Sequence, residues 1–419
     1  MLTPITLAFS VRHQRSRTSF TTMPDNASST AAALPAGSMI GIVGGGQLGM
    51  FFTQSAQRLG YRVCCFCQRD DEPAARFADE LVLGAFGDQS CIAQLVSKCE
   101  AVTYEFESIP PETLAQIDRE RPLDPSLKVI QTTQDRALEK QFLSNSKIPT
   151  SQFCIVESIE DLRQGVKAIP SATVLKTARD GYDGKGQWKL SADASAEELE
   201  SVWEQVAGRK CTLERLIDLE KEVSVIVASD RYGNTHTIGP ISNEHQNHIL
   251  DISWIDPISD GASAAAIEMA KRIASQLGLV GTLCVEFFID RNRDVLVNEI
   301  APRPHNSGHL TIDAFSRSQF DLQALAVSGQ QIEQPVEQHP AVMLNLLGDL
   351  WQEGEPDFAA AAQSSQCDVR LHLYGKKEAR AGRKMGHATL VAESLELALS
   401  GAKRYREALN CSTDSVNGT

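Results

Sequence analysis

Residues 283–289 read LCVEFFI and residues 295–300 read VLVNEI, with the polar run Asp290-Arg291-Asn292-Arg293-Asp294 between them. Two apolar runs of strand length around a polar turn predict a β-hairpin. Each strand carries one carboxylate among apolar neighbours, Glu286 in the first and Glu299 in the second. The length of the turn leaves their mutual register open. A buried carboxylate is costly unless it is paired or bound to a cation. Two on adjacent strands therefore favour a hard divalent ion such as Mg2+, with a salt bridge to Arg303 as the structural alternative. Beyond the hairpin the chain continues as NEIAPRPHNSGH over residues 298–309.

Upstream, residues 172–178 (ATVLKTA) predict a strand with a single lysine, Lys176, followed by Gly181, Tyr182, Asp183, Gly184, Lys185, Gly186 and Gln187. A strand lysine beside a glycine loop suits phosphate neutralisation, with backbone N–H groups folding over the anion. The GK[ST] ending of a Walker A motif is missing. Glu214, Arg215, Leu216 and Ile217, with Glu222 ahead of the apolar run 223–227, place acceptors and backbone groups at a strand connection, where an adenine edge and ribose hydroxyls could be read.

Nearer the start, MIGIV (39–43), GGGQLG (44–49), a helical stretch and YRVCCFC (61–67) spell strand, glycine turn, helix, strand. A helix over 91–99 and a strand over 101–106 extend this into a Rossmann-like parallel layer. Gly44, Gly46 and Gly49 match GxGxxG, and Asp70 and Asp71 follow about twenty residues on, so this segment alone suggests an NAD-dependent oxidoreductase.

A formal net charge of −14 argues against a general nucleic-acid binder, and 419 residues suggest two or three domains. No apolar run reaches the roughly 18 residues of a membrane-spanning helix. The 10 cysteines are scattered, which fits a reducing compartment. The CxxC of Cys64 and Cys67 is expected to be strand packing. Residues 1–38 are rich in Ser and Thr, with Arg12, Arg15 and Arg17 ahead of any acid. That composition resembles an organelle transit peptide, though an unstructured extension or an overcalled start is the simpler expectation, with a cytoplasmic enzyme.

GGGQLG, the pairing of Asp135-Arg136 with Lys140, GYDGKGQ, NEIAPRPHNSGH and GRKMGH (382–387) together resemble the N5-carboxyaminoimidazole ribonucleotide synthetases of the ATP-grasp superfamily, in unbroken order from about Met39 onward. The resemblance implies an α/β ATP-grasp fold with an N-terminal Rossmann-like (pre-ATP-grasp) domain and a small C-terminal domain. The limits expected are an extension at 1–38, then domains at 39–133, 134–333 and 334–419. The last follows a proline- and glutamine-containing connector and is expected to close onto the active site.

The activity implied is ATP-dependent carboxylation of 5-aminoimidazole ribonucleotide by bicarbonate through carboxyphosphate, in de novo purine synthesis. On this likeness Arg136 and Lys176 contact ATP phosphates and residues 181–187 cover them. Glu214, Arg215, Leu216 and Ile217 line the adenine site, Glu222 holds the ribose, and His245 lies near the nucleotide. Asn298, Glu299 and Glu286 serve Mg2+ and triphosphate. Gln47, Tyr182, Asp183, Lys185, Lys376, Arg383 and Lys384 take the ribonucleotide, with Asp183 on its amine. Arg303 and His305 face bicarbonate and carboxyphosphate. A homodimer and a separate mutase that receives the product are further implications.

Two positions depart from wider patterns. Lys185 stands where the family usually has arginine, which keeps the charge and loses the planar fork. Ala301 replaces an asparagine common in other ATP-grasp enzymes, a change the family shares. Competing classes are another ATP-grasp carboxylase or a formate-using ribonucleotide transformylase, the NAD-dependent oxidoreductase, and a non-catalytic binding module.

Overall fold

The computed structural model describes residues 32–179, 181, 184–255, 261–352 and 354–411. The expectations for Tyr182, Asp183 and residues 1–31 lie outside the described residues. Leu34 N–H donates to Ser328 O at 2.8 Å, and Leu34 O accepts from Tyr61 Oη at 3.1 Å. The packed chain therefore begins ahead of Met39, inside the expected extension. Among the described residues no helix is long and apolar enough to cross a membrane.

Strands β1 (Met39–Val43), β2 (Arg62–Cys67), β3 (Glu80–Leu83) and β4 (Ala101–Tyr104) form a parallel sheet in the order β3-β2-β1-β4. Parallel strands are covered on both faces, so they carry continuous apolar runs instead of alternating ones. Cys64, Cys65 and Cys67 are accordingly unpaired and buried in β2.

The second sheet is antiparallel, with β5 (Phe153–Val156), β6 (Thr173–Thr177), β7 (Gln187–Leu190) and β8 (Cys211–Arg215) in the order β5-β8-β6-β7. Helices Ile159–Ala168 and Ala196–Val206 pack Leu162, Val166, Leu199, Val202 and Val206 against Leu175 and Leu213. The glycine loop joins β6 to β7.

The largest sheet holds β9 (Leu219–Ser229), β10 (Thr235–Gln246), β11 (Ile249–Ile255), β12 (Gly281–Asp290), β13 (Val295–Ala301), β14 (Ala341–Leu347), β15 (Asp368–Leu373) and β16 (Lys384–Val391). Its order is β13-β12-β9-β10-β11-β14-β16-β15. Side chains alternate along β9 and β12. Val223, Val225, Val227, Leu283, Val285, Phe287 and Ile289 face helix Gly261–Leu277, which answers with Ala266, Ala270, Ile273, Ala274 and Leu277. Burying a side chain of the Val, Leu or Phe class contributes roughly 1.5–3 kcal/mol. Ile226, Ala228 and Cys284 point the other way, toward Leu322 and Ala326 of helix Gln319–Val327. Strands on both sides of residue 334 share this one sheet, since β14 pairs with β11.

Candidate active site

The predicted hairpin is β12 and β13, and its register places Glu286 directly opposite Glu299. A one-residue slip follows, so that Phe287 pairs with Val297 and Asn298 is the extra residue. A bulge of this kind re-aims the side chains beyond it. Val295, Val297 and Ile300 can thereby all reach the same core, while Glu299 and Ala301 share the face of Glu286 and Cys284. Burial, and then the charge of Glu299, push the Glu286 carboxyl up to about 8. Two adjacent hard oxygen donors, one held against its ionised form, fit a divalent cation with oxygen preference.

Beside them lies a web of cations around one carboxylate. Asp135 caps helix Arg136–Asn145 through the N–H groups of Ala137 and Leu138, which places Arg136 at the helix start. Its Nε donates to Glu214 Oε1 at 2.5 Å and its Nη2 to Asn298 Oδ1 at 3.0 Å, while Nη1 lies 3.4 Å from Glu299 Oε2. Lys140, fully buried, and Lys176 approach Glu214 Oε2 at 3.4 and 3.5 Å. Burial alone would raise the Glu214 pKa, but Arg136, Lys140 and Lys176 hold it well below the carboxylate range. Lys176 is lowered to about 8, chiefly by burial and then by Arg136.

A cavity of about 440 Å³ opens here, lined by Arg136, Lys176, Gly181, Lys185, Gly186, Gln187, Glu299, Arg303, His305 and Lys384 among others. The base of the glycine loop is closed by Thr177, whose N–H donates to Gly186 O at 2.9 Å. Gly186 has φ +71°, and a Cβ there would stand 2.6 Å from Thr177 Oγ1, so only glycine fits. Of the remaining nucleotide candidates, Glu222 and His245 pair on neighbouring strands, Oε2 to Nδ1 at 2.9 Å. That bond raises the His245 pKa against the opposing effect of burial. Arg215, Leu216 and Ile217 lead from β8 to β9, with Leu216 42% exposed.

A second cavity, of about 220 Å³, is lined by Gly46, Gln47, Leu48, Glu105, Phe106, Arg303, His305, Asn306 and Lys384. Arg303, His305 and Lys384 line both cavities. Arg303 Nη2 is held by Glu107 Oε1 at 2.7 Å. Burial, followed by the charges of Arg303 and Lys384, keeps the His305 pKa well below the histidine range. The three C-terminal cations separate. Lys384 reaches the cavities, whereas Lys376 lies behind it and donates to Lys384 O at 2.8 Å. Arg383 lines a different depression, with Arg69, Asp70, Asp71, Lys377, Glu378 and Arg380, that shares no lining residue with either cavity. Consecutive residues entering a strand point to opposite sides.

The glycine turn does not favour a dinucleotide. Glu105, at the end of β4, accepts from Gly46 N–H and, at 2.7 Å, from Gly49 N–H, so the helix N-terminus is satisfied by an internal carboxylate. Asp71 is engaged by Arg69 at 2.8 Å and Lys377 at 2.9 Å. Glu105 and Glu107 escaped the sequence reading. Two acids at the carboxyl end of an apolar parallel strand, where such sheets bind ligands, were the available signal. Asp313, His372 and His387 are a further group within metal-ligand reach. The His372 and His387 rings stack at 4.6 Å and 18°, with His372 Nε2 2.8 Å from Asp313 Oδ2 and His387 Nδ1 2.9 Å from Tyr374 Oη.

A glycine loop and lysine over one sheet, facing a carboxylate pair on another behind a Rossmann-like layer, define an ATP-grasp enzyme. Models of the ATP-grasp domain, the ribonucleotide synthetase preATP-grasp domain and the phosphoribosylaminoimidazole carboxylase C-terminal domain match residues 141–320, 38–134 and 341–400. The chain belongs to the N5-carboxyaminoimidazole ribonucleotide synthase family. It is 38% identical over 360 residues to the synthase of Staphylococcus epidermidis, covering 86% of this chain and 94% of that protein. A synthetase solved as its ADP complex superposes with a TM-score of 0.83 at 34% identity, covering 92% of this chain and 100% of that one. The Aspergillus clavatus synthase in complex with ADP and 5-aminoimidazole ribonucleotide gives 0.80 at 26%, over 90% and 99%.

Proposed function

We propose that the chain carboxylates 5-aminoimidazole ribonucleotide with bicarbonate at the expense of ATP, yielding N5-carboxyaminoimidazole ribonucleotide, ADP and phosphate in purine biosynthesis. One feature carries this reading: a phosphate-type cavity and a second cavity at the glycine turn share Arg303, His305 and Lys384 as common walls. An unstable intermediate made in the first cavity would reach an acceptor in the second without entering bulk water.

ATP would lie between the two antiparallel sheets, with Leu216 toward adenine, Glu222 toward ribose, and Arg136, Lys176 and the glycine loop on the phosphates. Glu286 and Glu299 would hold Mg2+, which supplies charge neutralisation for the triphosphate. A bicarbonate oxygen attacks the γ-phosphorus and ADP leaves. Arg303, His305 and Lys384 then hold the carboxyphosphate, and the amine attacks its carboxyl carbon as phosphate departs. Phosphoryl transfer depends on positioning and charge more than on covalent help, and these side chains offer both. Gln47 and Lys384 would meet the ribonucleotide, with Asp183 toward its amine. We further propose a homodimer whose product passes to a separate mutase.

The test is ADP formation measured with and without the ribonucleotide at controlled bicarbonate, with the carboxylated product identified. ADP release indifferent to both would overturn the assignment, and formate in place of bicarbonate would redirect it to a transformylase.

A further inference from the structure

β15 and β16 pair with His372 directly opposite His387. Side chains opposite one another on adjacent strands share a face, with Cβ atoms about 4.5–5.5 Å apart. The short helix Thr311–Ala314 packs beside β16 and brings in Asp313, whose Oδ2 lies 2.8 Å from His372 Nε2. One donor atom from each of the three residues lies within 4.8 Å of the other two. None of the three lines either cavity of the candidate active site.

His387 is fully buried, and its Nδ1 lies 2.9 Å from Tyr374 Oη. Its Nε2 has no hydrogen-bond partner among the described residues. A buried polar atom without a partner is costly, and a bound ion is one of the few things that accounts for it. Burial, and then the charges of His309 and His372, hold the His387 pKa well below the histidine range, so the ring is neutral and keeps one lone pair. With Nδ1–H donating to Tyr374 Oη, that lone pair sits on Nε2, and a bond of this kind from the far nitrogen is the usual support of a metal-bound histidine. Phe51 packs T-shaped against the His372 and His387 rings at 5.8 and 5.7 Å. The His372 side chain is 23% exposed, which gives an ion its way in. The two imidazoles stack, and turning His372 about its Cβ–Cγ bond, a broad torsion, lets both rings meet one ion.

We propose that Asp313, His372 and His387 form a second metal site, which takes a first-row dication of the Zn2+ class and ties the edge strand β15 to β16 and to helix Thr311–Ala314. Two imidazoles and a carboxylate are donors that Zn2+ favours, whereas the oxygen pair of Glu286 and Glu299 suits Mg2+. The ion takes the place of the hydrogen between His372 Nε2 and Asp313 Oδ2, and His387 Nε2 supplies the third ligand. A fourth position is left for water.

The full chain, stripped with EDTA and returned to excess Mg2+ so that the carboxylate pair is supplied, tests this by titration with Co2+ and then Zn2+. The native chain is expected to take up one Co2+ with the visible bands of a four-coordinate ion, to lose them as Zn2+ displaces it, and to gain Tm with Zn2+. Tyr374→Phe, which removes the support behind His387, should weaken binding about ten- to hundredfold. His372→Gln and Asp313→Asn, which remove ligands, should weaken it more, and Glu299→Gln should bind as the native chain does. Circular dichroism confirms that each variant is folded, and if one ligand variant fails to fold the other decides. A native chain without the bands, or bands that persist undiminished in a folded ligand variant, would overturn the site. Binding lost in Glu299→Gln and kept in His372→Gln would assign the ion to the carboxylate pair and overturn it equally.

Discussion

Arg136 meets Glu214 through both carboxylate oxygens, Nε to Oε1 at 2.5 Å and Nη2 to Oε2 at 3.4 Å. Lys140 and Lys176 lean on the same group. Glu214 is thus the internal counterion of a buried set of cations that we propose receives the polyphosphate. Removing one member of a buried ion cluster leaves the others uncompensated, at a cost of about 3–5 kcal/mol. Glu214→Leu is therefore expected to lower Tm by many degrees, and ATP should raise the Tm of this variant more than that of the native chain. A calorimetric scan with equal Tm values would refute the counterion role.

The pH dependence of nucleotide binding follows from Lys176, whose pKa is lowered to about 8 by burial and by Arg136. Below pH 8 the ammonium is already present. Above it, binding a polyphosphate must first restore the proton, so ATP affinity should fall about tenfold per pH unit beyond 8 and be nearly flat beneath. Calorimetric titrations at pH 7, 8 and 9 check the slope. Lys176→Arg should flatten it, because guanidinium keeps its charge throughout.

Glu299 is 45% exposed in its side chain and tied to Arg136 at 3.4 Å, so its replacement should spare the fold. Glu299→Gln is expected to cut ATP turnover at least about a hundredfold with little change in Tm, and EDTA should silence the native enzyme. Full turnover in either case removes the metal from the carboxylate pair.

Lys384 and Arg383 should differ in kind. Lys384→Ala, which opens a wall common to both cavities, is expected to depress kcat and to raise KM for the ribonucleotide. Arg383→Ala should raise that KM alone, by roughly ten- to hundredfold if a charge-assisted phosphate bond is lost. Paired kinetics on the two variants decide between them. An unchanged KM in Arg383→Ala would leave the depression it lines outside substrate recognition.

Glu286, Glu299 and Lys176 were legible in the sequence because a charge inside an apolar strand breaks a pattern that burial enforces. Their register was not, since it depends on the bulge at Asn298, and a bulge is set by the whole hairpin instead of by any local residue preference. The glycine turn misled for a related reason. GxGxxG announces a helix N-terminus that wants an anion, but not whose anion, and here Glu105 arrives from a strand far along the chain.

The pairing of β11 with β14, Ile252 opposite Leu344 and Trp254 opposite Val342, has a mechanical consequence. It welds the strand that begins at Lys384 into the same sheet as Glu286 and Glu299. Lys384 and the carboxylate pair therefore belong to one continuous hydrogen-bonded sheet, and strand pairing sets the spacing between them. The four-stranded β5-β8-β6-β7 sheet shares no strand pairing with that sheet among the described residues, so it is the part expected to open around a ligand.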